Sequence, residues 1–325
     1  MTIIDFHNHF YPPRYLEALQ TESRIQVTFD SEQNPHLHYP GDYNVVVPGH
    51  RDIAYRQAVL EKAGIDKQVL TLTTPGTHVE TPEHAALFAQ MVNDDFAEIV
   101  AEHGDRFVAL GTLPLNDPVA STRELERATN DLGLAGFMLF SNINGIELND
   151  QRFWPLYERA AQLNTVFYIH PTNPAAGEAM KDYRLTPLLG FTFDTTVAAV
   201  KLVFSGIIER FPTIRWVLAH AGGTIPFLAE RLDRGFEVFE ECRENISKPP
   251  STYLRSFYYD SVNFDPGSLQ LTIDFAGADH LVAGSDYPHQ IGSLEKMRES
   301  LEKLNVPAED KDKIRNGNAR KLLNL

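Results

Sequence analysis

The chain opens on Ile3-Ile4-Asp5-Phe6-His7-Asn8-His9, a short run that reads as a buried β-strand ending in two histidines. In an extended strand residues i and i+2 share a face, so His7 and His9 project together, as two ligands of one ion must. Paired imidazoles suit zinc or a similar divalent metal, with polar loop histidines as the alternative. Seven more apolar runs follow, each trailed by a polar or Gly/Pro break and a segment with helical spacing: Lys67 to Thr73, Arg106 to Leu113, Leu134 to Phe140, Thr165 to His170, Arg215 to His220, Phe257 to Asn263 and His280 to Asp286. That alternation is the signature of repeated βα units on a parallel sheet.

Eight such units in 325 residues fit a single (β/α)8 TIM barrel of the α/β class, spanning residues 1–325, better than a doubly wound open sheet. No glycine-rich nucleotide fingerprint supports the open sheet, since Gly222-Gly223 stands without the remaining glycines or a phosphate-loop lysine. Thr81-Pro82, Asp117-Pro118 and Asp265-Pro266 each place a capping side chain before a proline suited to a first helical turn. The stretch from Tyr11 to Gly49 breaks the rhythm. It is expected to form a small irregular insert, about residues 11–50, as a loop or short β element that shapes the substrate pocket.

Composition narrows the function classes. Apolar residues make up 43% and charged residues 22% of the chain, and no run is read as approaching the roughly 18 apolar residues of a membrane span. A formal charge of −15 disfavours phosphate backbones, so neither a nucleic-acid nor a membrane partner is expected. The lone Cys242 excludes an internal disulfide, and the N-terminus lacks signal-peptide features, which points to a cytoplasmic protein.

In a barrel of this kind the chemistry sits where the strands end. The ends here carry His7 and His9, then His170-Pro171, His220-Ala221-Gly222-Gly223 and Gly284-Ser285-Asp286-Tyr287-Pro288. Together with Phe193-Asp194-Thr195-Thr196 and Phe204-Ser205-Gly206, these motifs resemble the amidohydrolase superfamily over almost the whole chain. The likeness is to its group of aminocarboxymuconate-semialdehyde and aromatic-acid decarboxylases, and the Phe193 to Gly223 stretch is most similar to the members that act on 6-methylsalicylate.

The resemblance implies that His7, His9, His170 and Asp286 bind one divalent metal, zinc in the first place and manganese as the alternative, with a position left for water or substrate. Dinuclear members carry a bridging group at the end of the fourth strand, whereas this chain has Gly136-Phe137-Met138-Leu139-Phe140, which favours a single ion. His220 takes the family's acid/base position, with a fifth ligand or a structural histidine as the alternatives. Arg231 matches a substrate arginine that reaches into the partner subunit's site, implying a homodimer; a surface ion pair is the other reading. Where the semialdehyde decarboxylase has a second substrate arginine, this chain has Asn44 or Val45, and Arg51 fits only with a shift.

Asp5 is read as a partner that orients a ligand histidine or as a structural cap. His289 is a candidate substrate-binding residue or an exposed loop histidine. The remaining His36, His38, His50, His78, His84, His103 and His280 are read as solvated or loop residues.

The resulting expectation is a metal-dependent, non-oxidative decarboxylase of a small aromatic or unsaturated carboxylic acid, needing no organic cofactor. The alternatives are a lactone or amide hydrolase with Asp286 as proton acceptor, a hydratase, and a catalytically silent metal-binding scaffold.

Overall fold

The computed structural model describes residues 2–39, 41–174 and 177–325. Each of the eight apolar runs contains a parallel strand. They are β1 (Ile4–His9), β5 (Lys67–Thr71), β6 (Phe107–Ala109), β7 (Phe137–Phe140), β10 (Val166–His170), β11 (Arg215–Leu218), β12 (Tyr258–Asp260) and β13 (Leu281–Val282). The strands are buried along nearly their whole length, and for that reason read as continuous apolar runs rather than as alternation.

Two parallel sheets result, β1-β5-β6 and β13-β12-β11-β10-β7. Their edges meet at both ends. The Gly111 N–H donates to Gly136 O at 2.8 Å and the Met138 N–H to Gly111 O at 2.9 Å, joining β6 to β7. On the other side the Phe6 N–H donates to Ala283 O at 2.7 Å and the His9 N–H to Tyr287 O at 2.8 Å, joining β1 to the segment around β13. These bonds pair the outer strands of one sheet with those of the other among the described residues, which satisfies donors and acceptors that an open edge would expose.

Helices connect the strands where the capping signals place them. Thr81 Oγ1 accepts the His84 N–H at 3.3 Å, Asp117 Oδ1 accepts those of Val119 and Ala120 at 3.0 Å, and Asp265 Oδ2 accepts that of Ser268 at 2.7 Å. Proline occupies the first turn after each cap. A two-residue ribbon, β8 (Asn142–Ile143) with β9 (Ile146–Glu147), follows β7.

Of the two forms expected of the insert, a loop or a short β element, the β element is present, and it is regular rather than irregular. After a helix at Pro13–Thr21 it forms a regular antiparallel sheet in the order β2 (Gln26–Phe29), β3 (Pro35–Tyr39), β4 (Asp42–Val45); Pro40 lies outside the described residues. The reason is a two-residue alternation in β3. Leu37 is fully buried, while the flanking His36 and His38 rings lie 6.1 and 5.9 Å from the Tyr43 ring on the other face. The proline and asparagine content obscured this pattern.

A second difference concerns apolar length. The helical run Asp182–Phe204 spans 23 residues and is long and apolar enough to cross a membrane by length and composition. Scattered threonines hide it from a search for unbroken apolar runs. Thr195, Ala198, Ala199 and Leu202 form its buried face, as in a helix packed on a protein core.

A buried guanidinium ties the insert to the first strand. Arg56 donates from Nη1 to Asn8 Oδ1 at 2.7 Å and to Gln68 Oε1 at 2.9 Å, from Nε to Gly49 O at 2.9 Å, and from Nη2 to His9 O. It thereby satisfies backbone carbonyls at the insert's exit and beside the second histidine of β1.

Candidate metal centre

Five side chains converge where the parallel strands end. The register of β1 against β5 shifts between Asp5 and Asn8, yet His7 and His9 still face each other, with Nε2 atoms 3.1 Å apart. Asp286 Oδ1 lies 3.2 Å from His9 Nε2 and 3.4 Å from His7 Nε2. The His170 ring stands 4.8 Å from that of His9 and 5.3 Å from that of His7, and the His220 ring 5.1 Å from that of His7. His7 and His9 are fully buried, and Asp286 and His170 nearly so. Close packing of the eighth strand's exit permits this: a Cβ at Gly284 would stand 2.7 Å from the Cβ of His7, so no larger residue fits there.

The second nitrogen of each proposed ligand histidine is already committed. His7 Nδ1 pairs with Asp260 Oδ2 at 2.6 Å, and His170 Nδ1 with Pro171 O at 2.8 Å. His9 Nδ1 lies 3.2 Å from Thr71 Oγ1, whose own hydroxyl hydrogen goes to Asn8 O at 2.6 Å. All three partners act as acceptors, so the network assigns the proton to Nδ1 and leaves an Nε2 lone pair facing the centre. Several lone pairs and a carboxylate oxygen aimed at one point repel unless a cation lies among them.

The spacing fits a metal. Ligand atoms about 2.1 Å from a common ion stand about 3.0–3.4 Å apart, depending on geometry, which matches the three separations among His7, His9 and Asp286. Asp286 Oδ1 is buried without a hydrogen-bond partner of good geometry among the described residues, as expected for an atom reserved for a ligand bond. The donor set of imidazole and carboxylate suits zinc and manganese alike.

Titration follows from the same contacts. Burial opposes charge on His7, but the carboxylates of Asp260 and Asp286 outweigh it and push its pKa up to about 10; an ion bound among these atoms must therefore displace the Nε2 proton, leaving His7 neutral with its proton on Nδ1. Burial holds His9 and His170 well below the ordinary histidine value, hence neutral, as ligands must be. Asp286 stays ionised despite burial, because His7 and His9 pull its pKa well below the usual carboxylate range. His220 is pulled down to about 4, first by burial and then by His7.

His220 sits in a left-handed turn with φ of 55°, followed by Ala221, Gly222 and Gly223, all at positive φ. A Cβ at Gly223 would stand 2.1 Å from Thr192 O, so glycine is needed both for the conformation and for the approach of the Thr192 segment. The turn swings His220 into the centre and leaves its Nδ1 buried without a hydrogen-bond partner among the described residues.

Other expected site residues fall differently. His289 lines the cavity, its ring 4.8 Å from that of His9 and its Nε2 3.4 Å from Thr73 Oγ1. Arg231 is exposed on the helix Ile225–Val238 and does not line the cavity. Asp5 does not orient a ligand histidine. It accepts hydrogen bonds from the Ser285 N–H, the Ser285 hydroxyl and Gln68 Nε2 at 3.0, 2.6 and 2.7 Å, fixing the residue before Asp286; burial raises its pKa to about 6.

His50 and His78, read as solvated or loop histidines, are 1% and 3% exposed, and His78 does lie in a loop. His50 packs 5.0 Å from the His289 ring and His78 4.8 Å from Phe140. Tertiary packing buries them, although neither belongs to a strand end.

Asp260 is the main residue missed. It ends β12 fully buried, and besides His7 it accepts the Tyr168 hydroxyl at 2.8 Å and the Val262 and Ala221 N–H groups at 2.9 and 3.1 Å. A carboxylate closing Tyr258-Tyr259-Asp260 is the only sequence signal. Arg184 is the second omission, a cavity-lining guanidinium contributed by a connecting segment.

Above the cluster lies a cavity of about 540 Å³, large enough for a single-ring acid. Asn44, Val45 and Val47 of the insert, Phe191, Phe264 and Ile291 are among its lining residues. The Phe191 ring stands 6.3 Å from that of His170 and 6.5 Å from that of His220, an aromatic wall beside the polar floor.

Residues 4–325 match the amidohydrolase family model. A 2-amino-3-carboxymuconate-6-semialdehyde decarboxylase of Dictyostelium discoideum is 31% identical over 270 residues, covering 82% of this chain and 75% of that protein. A gamma-resorcylate decarboxylase of Rhizobium sp. is 30% identical over 307 residues, covering 88% of this chain and 92% of its own length. The crystal structure of 5-carboxyvanillate decarboxylase from Sphingomonas paucimobilis superposes with a TM-score of 0.87 at 26% identity, covering 100% of this chain and 99% of that one.

Proposed function

We propose, for a chain that belongs to the amidohydrolase family, a metal-dependent, non-oxidative decarboxylase acting on a small hydroxyaromatic or unsaturated carboxylic acid. The observation that carries this reading is the convergence of the His7 and His9 Nε2 atoms with an unpartnered Asp286 Oδ1 on the floor of a cavity with an aromatic wall. The decarboxylases similar to the chain support the choice of reaction. The two parallel sheets joined at both edges support a closed (β/α)8 barrel, with the site at the strand C-termini.

His7, His9, His170 and Asp286 hold one divalent ion, with zinc as first choice and manganese as alternative. Bound there, the ion supplies Lewis acidity for a carboxylate and the oxygen beside it. Asp260 keeps His7 in the ligand tautomer through the 2.6 Å contact at Nδ1. Phe191 and the apolar lining exclude water around the ring, which strengthens every polar interaction on the floor.

His220 is neutral near pH 7, since burial brings its pKa to about 4. It delivers a proton, replaced from solvent after each turnover, to the carbon that bears the carboxylate. The pair of electrons from the breaking C–C bond restores the ring as carbon dioxide leaves, so no redox change occurs.

The active form is a homodimer in which Arg231 reaches the partner's cavity. Its support is the exposed face of the Ile225–Val238 helix, where Phe227 is 79% exposed one turn before Arg231. Mixing Arg231→Ala with His220→Ala protein tests this, since hybrid dimers recover activity; no recovery places the whole site within one chain. The reaction itself is tested by incubating zinc- and manganese-loaded protein with hydroxybenzoates and related acids and lactones while following product mass. Loss of carbon dioxide supports the assignment, and gain of water overturns it in favour of hydrolysis or hydration.

A further inference from the structure

The cavity contains an ion pair that takes no part in the chemistry above. Arg184, from the segment after β10, donates from Nη1 to Asp42 Oδ1 of the insert at 2.7 Å, and its guanidinium carbon lies 4.5 Å from the Tyr43 ring centre. All three residues line the cavity. The Asp42 side chain is only 7% exposed and that of Arg184 48%, so the pair stands at the solvent side with the carboxylate turned inward. Asp42 Oδ1 is further held by the Tyr43 N–H at 2.8 Å, and Arg184 makes no second hydrogen bond among the described residues.

The charge balance decides what such a cavity accepts. The floor offers cationic character to one carboxylate. At the Asp42 end of the cavity the lining offers, among the described residues, one guanidinium of this chain, Arg184, and it is already paired with Asp42. A second carboxylate brought to that end must compete with Asp42 for the one guanidinium there, so it is disfavoured against a neutral group. Asn44, also in the lining, is committed through Nδ2 to Tyr11 Oη, Thr74 O and Thr74 Oγ1.

We propose that the Asp42–Arg184 pair restricts this cavity to monocarboxylates, with Asp42 occupying the guanidinium that the second carboxylate of a dicarboxylic acid would need. The inference rests on the reading that the floor binds a carboxylate, and it names the substrate class within that reading. Arg184 keeps its remaining N–H groups for a neutral oxygen on the monocarboxylate's remote end.

The test is direct binding by calorimetry to zinc-loaded protein, with salicylate as the monocarboxylate and 4-hydroxyisophthalate as the dicarboxylate. The wild-type chain is expected to bind salicylate at least about tenfold more tightly. Asp42→Asn, which is nearly isosteric, frees Arg184 and should tighten 4-hydroxyisophthalate about tenfold while leaving salicylate within about twofold. The double variant Asp42→Asn with Arg184→Gln should lose that gain. Equal affinities in the wild type, or an Asp42→Asn ratio unchanged from wild type, overturn the proposal while leaving the carboxylate-binding floor intact. Binding of neither acid to any variant overturns the floor reading and this proposal with it.

Discussion

Asp260→Asn is the most revealing substitution, because it preserves volume and changes only what the side chain can accept. The carboxylate receives four donors at 0% exposure: His7 Nδ1 and the Tyr168 hydroxyl on Oδ2, and the Ala221 and Val262 N–H groups on Oδ1. An asparagine satisfies the two backbone donors with its carbonyl, which turns its NH2 toward His7 and Tyr168. Tyr168 can rotate its hydroxyl to accept, but His7 must move its proton from Nδ1 to Nε2. That proton then occupies the lone pair that faces His9 and Asp286.

Loss of such a partner weakens metal affinity by about 10–100-fold, and the tautomer change places this variant toward the upper end. Tyr168→Phe removes one donor and leaves the His7 contact, so it should change affinity by less than about tenfold, the equivalent of one net hydrogen bond of about 1 kcal/mol. Zinc competition against a chromophoric chelator measures both variants against wild type. Unchanged zinc affinity in Asp260→Asn, with the fold intact by circular dichroism, would refute the argument that His7 is a ligand set by its Nδ1 partner.

Three further outcomes follow from the geometry. His170→Ala should abolish stoichiometric metal and activity together, and retention of one bound ion per chain by elemental analysis would remove it from the ligand set. His220→Asn should keep the metal and lose turnover by at least about 100-fold, the usual contribution of a proton-transfer group; near-wild-type kcat removes it from the chemistry. Glu209 has its pKa lowered to about 2 by the Tyr253 hydroxyl and by Ser247. The stability it contributes is therefore present above its ordinary value of 4.5 and is lost as pH falls toward 2. Urea midpoints of wild type and Glu209→Gln should converge across that window, and a constant difference would contradict the assignment.

The parts of the molecule legible in the sequence are those with a local signature. Each parallel strand is an apolar run with a break behind it, and His7, His9, His170, His220 and Asp286 all stand at or just beyond strand ends. Asp260 has no such signature, since its partner His7 is 253 positions away and appears only when β12 is laid beside β13, whose segment pairs with β1. The choice between the two roles open to Asp5 is hidden for the same reason, its partner Ser285 being 280 residues distant. Arg184 and Asp42 lie 142 positions apart on two connecting segments, where neither periodicity nor spacing carries information. His50 and His78 show the converse, polar residues drawn inside by packing that their own neighbourhoods do not announce.

The central claim is that a carboxylate leaves and a solvent proton takes its place at the same carbon. The most direct measurement is turnover of a hydroxybenzoate by metal-loaded protein in D2O, with the product read by mass spectrometry and NMR. The account predicts release of carbon dioxide and one deuterium at the carbon that bore the carboxylate. A product that keeps its carboxylate and gains the mass of water would contradict it.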